Sequence, residues 1–375
     1  MKKDMKFTPP HKIGDNQIIA RRRESNIELL RLVSMFNILV YHFFLHGDLG
    51  MQINIYQAIV TIIHIGVICF VLISGYFGIH TKIKSIINLY CLVAFYGVVL
   101  YLVSVFISGK FDFYGIKAIL PFGKGFYWFI IVYFQLYLIA PFLNKIIDKL
   151  SHKEFIIIIL VFAYFSFYLG LIMKDSTFVN GHNLANFIFI YLIGRYLRLY
   201  KNVKEAERKE NLKKSLLCYL VVAIGVFLSI AFAPNIISKI ITRLSFPYNS
   251  PVLIIMAVLV FNIFRNIKIQ SQIINYAATS ALAIYLLHEN PCTNKYVYAP
   301  LKIWYETQSG FVFACSLITY ALAVFFVCIF IDKVRIKIVE LLRLEKISEI
   351  IEIKILHLWE KFWSNSDRLN DKTNQ

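Results

Sequence analysis

Apolar residues in this chain arrive in blocks of about 17 to 25, each long enough to cross roughly 30 Å of hydrocarbon as a helix, with short polar or basic stretches between them. About ten such blocks can be drawn. They run Asn26 to His46, Ile55 to Ile79, Ile86 to Ile107, Phe126 to Ile147, Phe155 to Met173, Leu184 to Leu199, Ser215 to Ala233, Val252 to Phe264, Ile273 to Glu289 and Phe311 to Ile331. The pattern predicts an all-α membrane protein whose residues 26–331 form one bundle of about ten transmembrane helices.

The flanks carry a different pattern. Residues 1–25, with Lys2, Lys3, Lys6, Lys12, Arg21, Arg22 and Arg23 and the pair Pro9 and Pro10, lack the apolar core of a signal peptide and read as a basic tail. Beyond the last block, residues 332–375 begin with an amphipathic helix, Lys333 to Trp363. In it Ile336, Val339, Leu342, Ile347, Ile350, Leu358 and Trp359 recur at helical spacing among Lys and Glu, as in a helix lying on a membrane face. The end, Ser364 to Gln375, reads as a disordered tail.

Charge orients the bundle. With both termini in the cytoplasm, about 31 of the 40 Lys and Arg residues fall on the cytoplasmic side and about eight outside, which is the positive-inside bias of a multi-pass plasma-membrane protein. The basic loop Tyr200 to Lys214 votes for this orientation, the Lys-free and Arg-free loop Gly47 to Asn54 agrees, and the loop with Lys110, Lys117 and Lys124 is the outlier. Composition fits: 58% of residues are apolar, 17% charged, and mean hydropathy is +0.64. The net charge of +18 sits in short loops beside the spans, so anionic lipid headgroups explain it more simply than nucleic acid. Six cysteines, none in a CxxC pair, support neither a disulfide framework nor a metal site.

Ionisable residues inside a span are costly and therefore point to function. The first span holds two, Arg31 and His42. Their 11-position separation turns through 1100°, about 20° past three full turns, so they share a face roughly 16 Å apart along the axis. A guanidinium suited to phosphate at one end and an imidazole able to exchange a proton at the other suits an elongated donor lying along the helix. The competing reading has Arg31 snorkelling to headgroups and His42 satisfied at the interface by a backbone carbonyl.

The arrangement Glu28, Leu30, Arg31 and, after ten intervening residues, His42 resembles the opening of the acyltransferase-3 family of integral membrane acyltransferases, the surface-polysaccharide O-acyltransferase type. The likeness continues through Phe70 to Phe77, ending in Ser74, Gly75 and an aromatic residue; through Tyr127 to Pro141 with Trp128; and through Ser280 to Pro291 with Tyr285 and His288. It thus touches four segments between Glu28 and about Phe330. The resemblance implies transfer of an acyl group, acetyl from acetyl-CoA, across the membrane to a hydroxyl of a cell-surface or exported glycan or glycolipid. It further implies His42 and His288 as catalytic residues, Arg31, Glu28, Lys82 and Lys84 at the donor, and Ser74, Trp128, Tyr285 and Glu289 in support. Acetyl-CoA enters as a substrate, and no resident cofactor or metal is expected. The family's arginines after Ser-Gly-aromatic are replaced here by His80, Lys82 and Lys84, which supply point charge without a bidentate fork.

Other features weigh less. His64 and His182 match no family motif and read as structural. Ser74 and Gly75 lack a GxSxG setting and read as close helix packing. Trp128, Tyr133, Gln135 and Tyr137 suit interfacial anchoring and packing, and Arg195 and Arg198 suit snorkelling at the end of the sixth span. No P-loop, dinucleotide fingerprint or HExxH occurs. Competing functions are a glycan transporter or flippase, a passive partner of a glycan synthase, and succinyl transfer by the same fold. The first predicts paired broken helices in corresponding halves, a pairing not seen in the sequence. The second gives the intramembrane Arg and His no chemical purpose.

Overall fold

The structure, a computed structural model, describes residues 23–49, 54–111, 127–201, 203–343, 346, 348–355 and 357. The basic tail up to Arg22, the loop residues Lys117 and Lys124, the positions Ile347, Leu358 and Trp359, and the end from Ser364 lie outside the described residues.

Helix α1, Ser25–His46, buries Ile27, Leu30, Leu39 and Phe43 and packs against seven later helices, which makes it the axis of the bundle. Its start is laced to distant chain: the Asn26 amide donates to the carbonyls of Phe264 (3.0 Å) and Arg265 (3.4 Å), and the Ser271 N–H donates to the Ser25 hydroxyl (3.1 Å). The Asn26 contacts reach carbonyls at the end of α10, Pro251–Asn266, that lack partners within that helix.

The second predicted span is two helices, α2, Asn54–Ile63, and α3, Gly66–Phe77, broken at His64 and Ile65. The His64 Nδ1–H donates to the Phe246 carbonyl (2.9 Å), and its ring stacks on Phe246 at 4.3 Å. Helix α3 lies hard against α7, Leu184–Tyr200. A Cβ on Gly75 would stand 2.2 Å from the Tyr191 carbonyl oxygen, and one on Gly194 would stand 2.5 Å from that of Leu72. Only glycines permit this backbone approach, the usual device of helices that meet in lipid.

The remaining spans are α4, Ile83–Ser108; α5, Trp128–Ile147; α6, His152–Ala163, which continues into a π-helical stretch, Tyr164–Ile172; α8, Arg208–Ala231; and, after a short α9, Asn235–Ser245, the helix α10. A capping box between Ser151 and Glu154 starts α6, and the Ser250 hydroxyl caps α10. The chain then forms α11, Gln272–Ala278; α12, Ala281–His288; α13, Asn294–Thr307; and α14, Gly310–Leu341. Phe106, Leu160, Leu217 and Phe326 are exposed on the outside, as hydrocarbon contact requires.

The described residues thus form fourteen α-helices and no strand, an all-α membrane protein, but the count departs from ten. Seven helical segments are long and apolar enough to cross a membrane. The predicted sixth and eighth spans are α7 of 17 residues and α10 of 16, and the predicted ninth is split between α11 and α12. The split has a visible cause. The Lys333 ammonium donates to the Tyr276 carbonyl and the Thr279 hydroxyl (2.6 Å each), so a cation sits at the carbonyl end of α11, where it interacts best with a helix terminus.

The C-terminal expectation also shifts. Ile331 is not a helix end: α14 runs on to Leu341, with Asp332 and Lys333 buried. Asp332 accepts from the Tyr96 hydroxyl (2.8 Å) and Arg335 (2.7 Å), so charges that the sequence places on a surface helix tie α14 to α4. Further on, Glu349 accepts from the Lys84 ammonium (2.8 Å) and Glu352 from the Lys84 backbone N–H (3.2 Å), which anchors this segment at the start of α4. The Lys84 bond holds the Glu349 carboxyl below its ordinary pKa.

Candidate active site

His42 lies one turn before the end of α1, and His288 is the last residue of α12. Packing of α1 against α12 closes the 246 positions between them, and His42 Nδ1 stands 3.0 Å from His288 Nε2. The neighbouring atoms decide which nitrogens carry protons. His288 Nδ1 lies 2.6 Å from the Ile284 carbonyl, which only accepts, so a neutral His288 has its proton on Nδ1 and a lone pair on Nε2. His42 must then donate from Nδ1, toward His288 Nε2 and toward Glu289 Oε2 at 3.3 Å. The consequence is a free lone pair on His42 Nε2, which has no hydrogen bond among the described residues.

Glu289 organises the same end of the bundle. Its Oε1 accepts from His46 Nε2 (3.0 Å) and its Oε2 from the Tyr298 hydroxyl (2.7 Å), which also lies 3.1 Å from the His288 carbonyl. Tyr285 sits beside both imidazoles, at 6.2 Å from His42 and 6.1 Å from His288 between ring centres. The turn after α12 is pinned as well: the Asn290 amide donates to the Tyr127 hydroxyl (2.9 Å), which donates to the Leu286 carbonyl (2.9 Å). His46, Tyr298, Tyr127 and Asn290 were not singled out in the sequence. Of these only His46 left a local sign, four residues beyond His42 and hence one turn along the same face.

The donor atoms of His42, His288 and Glu289 also fall within 4.8 Å of one another, a spacing open to a cation. The imidazole pair itself reads as a proton-handling unit, because every nitrogen of His42 and His288 except His42 Nε2 already has a partner.

Toward the other end of α1, Arg31 Nη1 donates to Glu28 Oε2 (2.8 Å). On α3, the Ser74 hydroxyl donates to the Phe70 carbonyl (2.9 Å) and meets the Tyr133 hydroxyl of α5 (3.0 Å). Glu28 and Arg31 thus form one polar pair on α1, and Ser74 and Tyr133 a second between α3 and α5. Lys82 is exposed just before α4, and Lys84 is taken up by Glu349 rather than presented beside Arg31. Trp128 stands against His182, with ring centres 4.2 Å apart, and not against the imidazole pair.

An all-helical membrane bundle with a carboxylate-anchored imidazole pair at one end and a guanidinium lower on the same helix has the parts of an intramembrane acid–base enzyme. The chain belongs to the acyltransferase-3 family: the family model described as an acyltransferase domain matches residues 24–331. It is therefore a membrane-bound enzyme that transfers acyl groups. Comparison with curated proteins and with solved structures returns no match.

Proposed function

We propose that the protein carries acetyl from acetyl-CoA, supplied at the cytoplasmic face of the plasma membrane, to a hydroxyl of a surface or exported glycan presented from outside. The observation that carries this reading is the free lone pair of His42 Nε2, fixed by a hydrogen-bond chain that ends on the Ile284 carbonyl. Such a nitrogen can take the proton of an attacking hydroxyl as its oxygen bonds the thioester carbon. Glu289, 3.3 Å from His42 Nδ1, stabilises the imidazolium that results. The carbon–sulfur bond then breaks, and the departing thiolate recovers the proton from His42. Ester and free thiol are the products, and all atoms balance.

In this orientation both termini and the Arg31 end face the cytoplasm, in keeping with the positive-inside bias of the loops. Arg31 and the Ser74–Tyr133 pair then line the approach of the donor, and His42 meets the acceptor on the outer side. The paired Glu28 keeps the guanidinium oriented. The test compares ester content of the surface glycan in cells carrying the wild-type gene, no gene, or His42→Gln at matched membrane abundance. Acetyl ester present only with the wild-type protein is the expected result; succinyl ester in its place, or ester unchanged without the gene, would overturn the donor or the acceptor.

A further inference from the structure

At the end of the bundle away from the histidines lies a cavity of about 560 Å³ in which four cationic side chains meet: Arg198 of α7, Arg208 of α8, and Arg265 and Lys268 at and after the end of α10. Its floor is closed by Tyr76 of α3 and Asn26 of α1. Asn26 precedes His42 by 16 positions, so the cavity stands roughly 24 Å along α1 from the imidazole pair. Asn26 and His42 also point about 160° apart around the helix, so this is not the face that carries Arg31.

The cations are held but not neutralised in full. Arg265 Nη1 donates to the carbonyls of Lys201 (3.2 Å) and Leu197 (3.4 Å) at the end of α7, while its buried Nε has no partner among the described residues. Arg198 Nη1 donates to the Tyr76 hydroxyl (3.2 Å), with the guanidinium 5.0 Å from the centre of that ring. The carboxylates present are Glu24, which lines the cavity, and Glu205, which pairs with Arg208 at 3.0 Å and with Lys268. Four positive groups thus face two negative ones, around a space large enough for a ligand. Two arginines in it are fixed by their own contacts, which leaves their remaining N–H groups oriented for a forked acceptor.

We infer that this cavity is a binding site for a phosphate group, separate from the histidine site. Phosphate supplies the tetrahedral oxygens and double charge that a guanidinium cluster recognises, and two sources can bring it there: the headgroup of an anionic lipid, or the phosphorylated nucleotide end of the acyl donor. The second source rests on the acyl-CoA reading above; the first does not.

The test uses full-length protein in phosphatidylcholine nanodiscs, followed by thermal unfolding, because a ligand of the folded state raises Tm by mass action. One arm titrates adenosine 3′,5′-bisphosphate. The other replaces about a fifth of the phosphatidylcholine with phosphatidylglycerol, whose anionic headgroup carries the phosphate. The inference expects at least one probe to raise Tm, and expects Arg198→Gln and Lys268→Glu each to weaken that response about tenfold, the usual effect of losing a bond to a charged group. Lys268 is largely exposed, so its variant folds, and its response is read against its own Tm without probe. A rise with the bisphosphate assigns a nucleotide, and a rise confined to phosphatidylglycerol assigns a lipid. No rise with either probe, or a rise undiminished in Lys268→Glu, overturns the site. Repeating the titration in His42→Gln separates the two proposals: phosphate binding persists there even though acyl transfer is lost.

Discussion

His42 is the residue on which chemistry and geometry meet most closely. His42→Gln keeps a polar side chain but cannot titrate, and general-base catalysis contributes about 10² to 10⁴ in rate, so acyl transfer per molecule should fall by at least about a hundredfold at unchanged abundance. Near-normal turnover in labelled-acetyl assays of matched membranes would rule out the assigned role. Glu289→Gln keeps the shape and removes the charge that accepts from His46 and Tyr298, so turnover should fall about ten- to a hundredfold, in proportion to a lost charged hydrogen bond. Arg31→Ala should act differently, raising the KM for the acyl-CoA more than it lowers kcat, as loss of binding shared by ground and transition states does. The sequence disclosed Arg31 and His42 because 11 residues bring a helix back to one face, and it offered His288 through a short motif. It could not disclose that the Ile284 carbonyl sets the tautomer of His288, nor that Glu289 gathers His46 and Tyr298. Those contacts exist only once α1, α12 and α13 have packed.

At the scale of helices, the joint between α3 and α7 tolerates no added carbon. Gly75→Ala places a methyl 2.2 Å from the Tyr191 carbonyl, and the forced displacement should cost about 1 to 3 kcal/mol, seen as a lower Tm or a lower yield in membranes. The close packing read from Ser74 and Gly75 is thus present, with Ser74 turned the other way toward Tyr133. The break between α11 and α12 was invisible, because hydropathy sums side chains and does not register where a backbone interrupts. It needs Lys333, 57 positions from Tyr276, to sit at the carbonyl end of α11. Lys333→Met retains the apolar stem and removes the donor, leaving the Tyr276 carbonyl and Thr279 hydroxyl without their partner. A loss of roughly 1 to 3 kcal/mol in thermal unfolding is expected, and an unchanged Tm would mean that the break persists without the cation.

For the whole molecule, the alternation of apolar and basic stretches specified a helical membrane protein and fitted less well where helices are short or broken, in α7, α10 and the α2–α3 and α11–α12 pairs. Topology reporters fused at Lys209 and after Gln375 should both register in the cytoplasm, since Lys and Arg on that side outnumber those outside about four to one. An external signal at Gln375 would mean an odd number of crossings. The hydrogen-bond chain from His42 through His288 stops at a backbone carbonyl, which holds no proton to pass on. That branch is a blind alley, and in the proposed reaction the proton taken from the acceptor leaves on the departing sulfur. In that proposed reaction hydrogen travels inward within a thiol as the acyl group travels outward within an ester, and the transfer itself moves no net charge across the bilayer. A transmembrane voltage acts on moving charge at about 2.3 kcal/mol per elementary charge per 100 mV. With none moved, the proposed transfer should run at the same rate in a fully energised membrane and in a depolarised one.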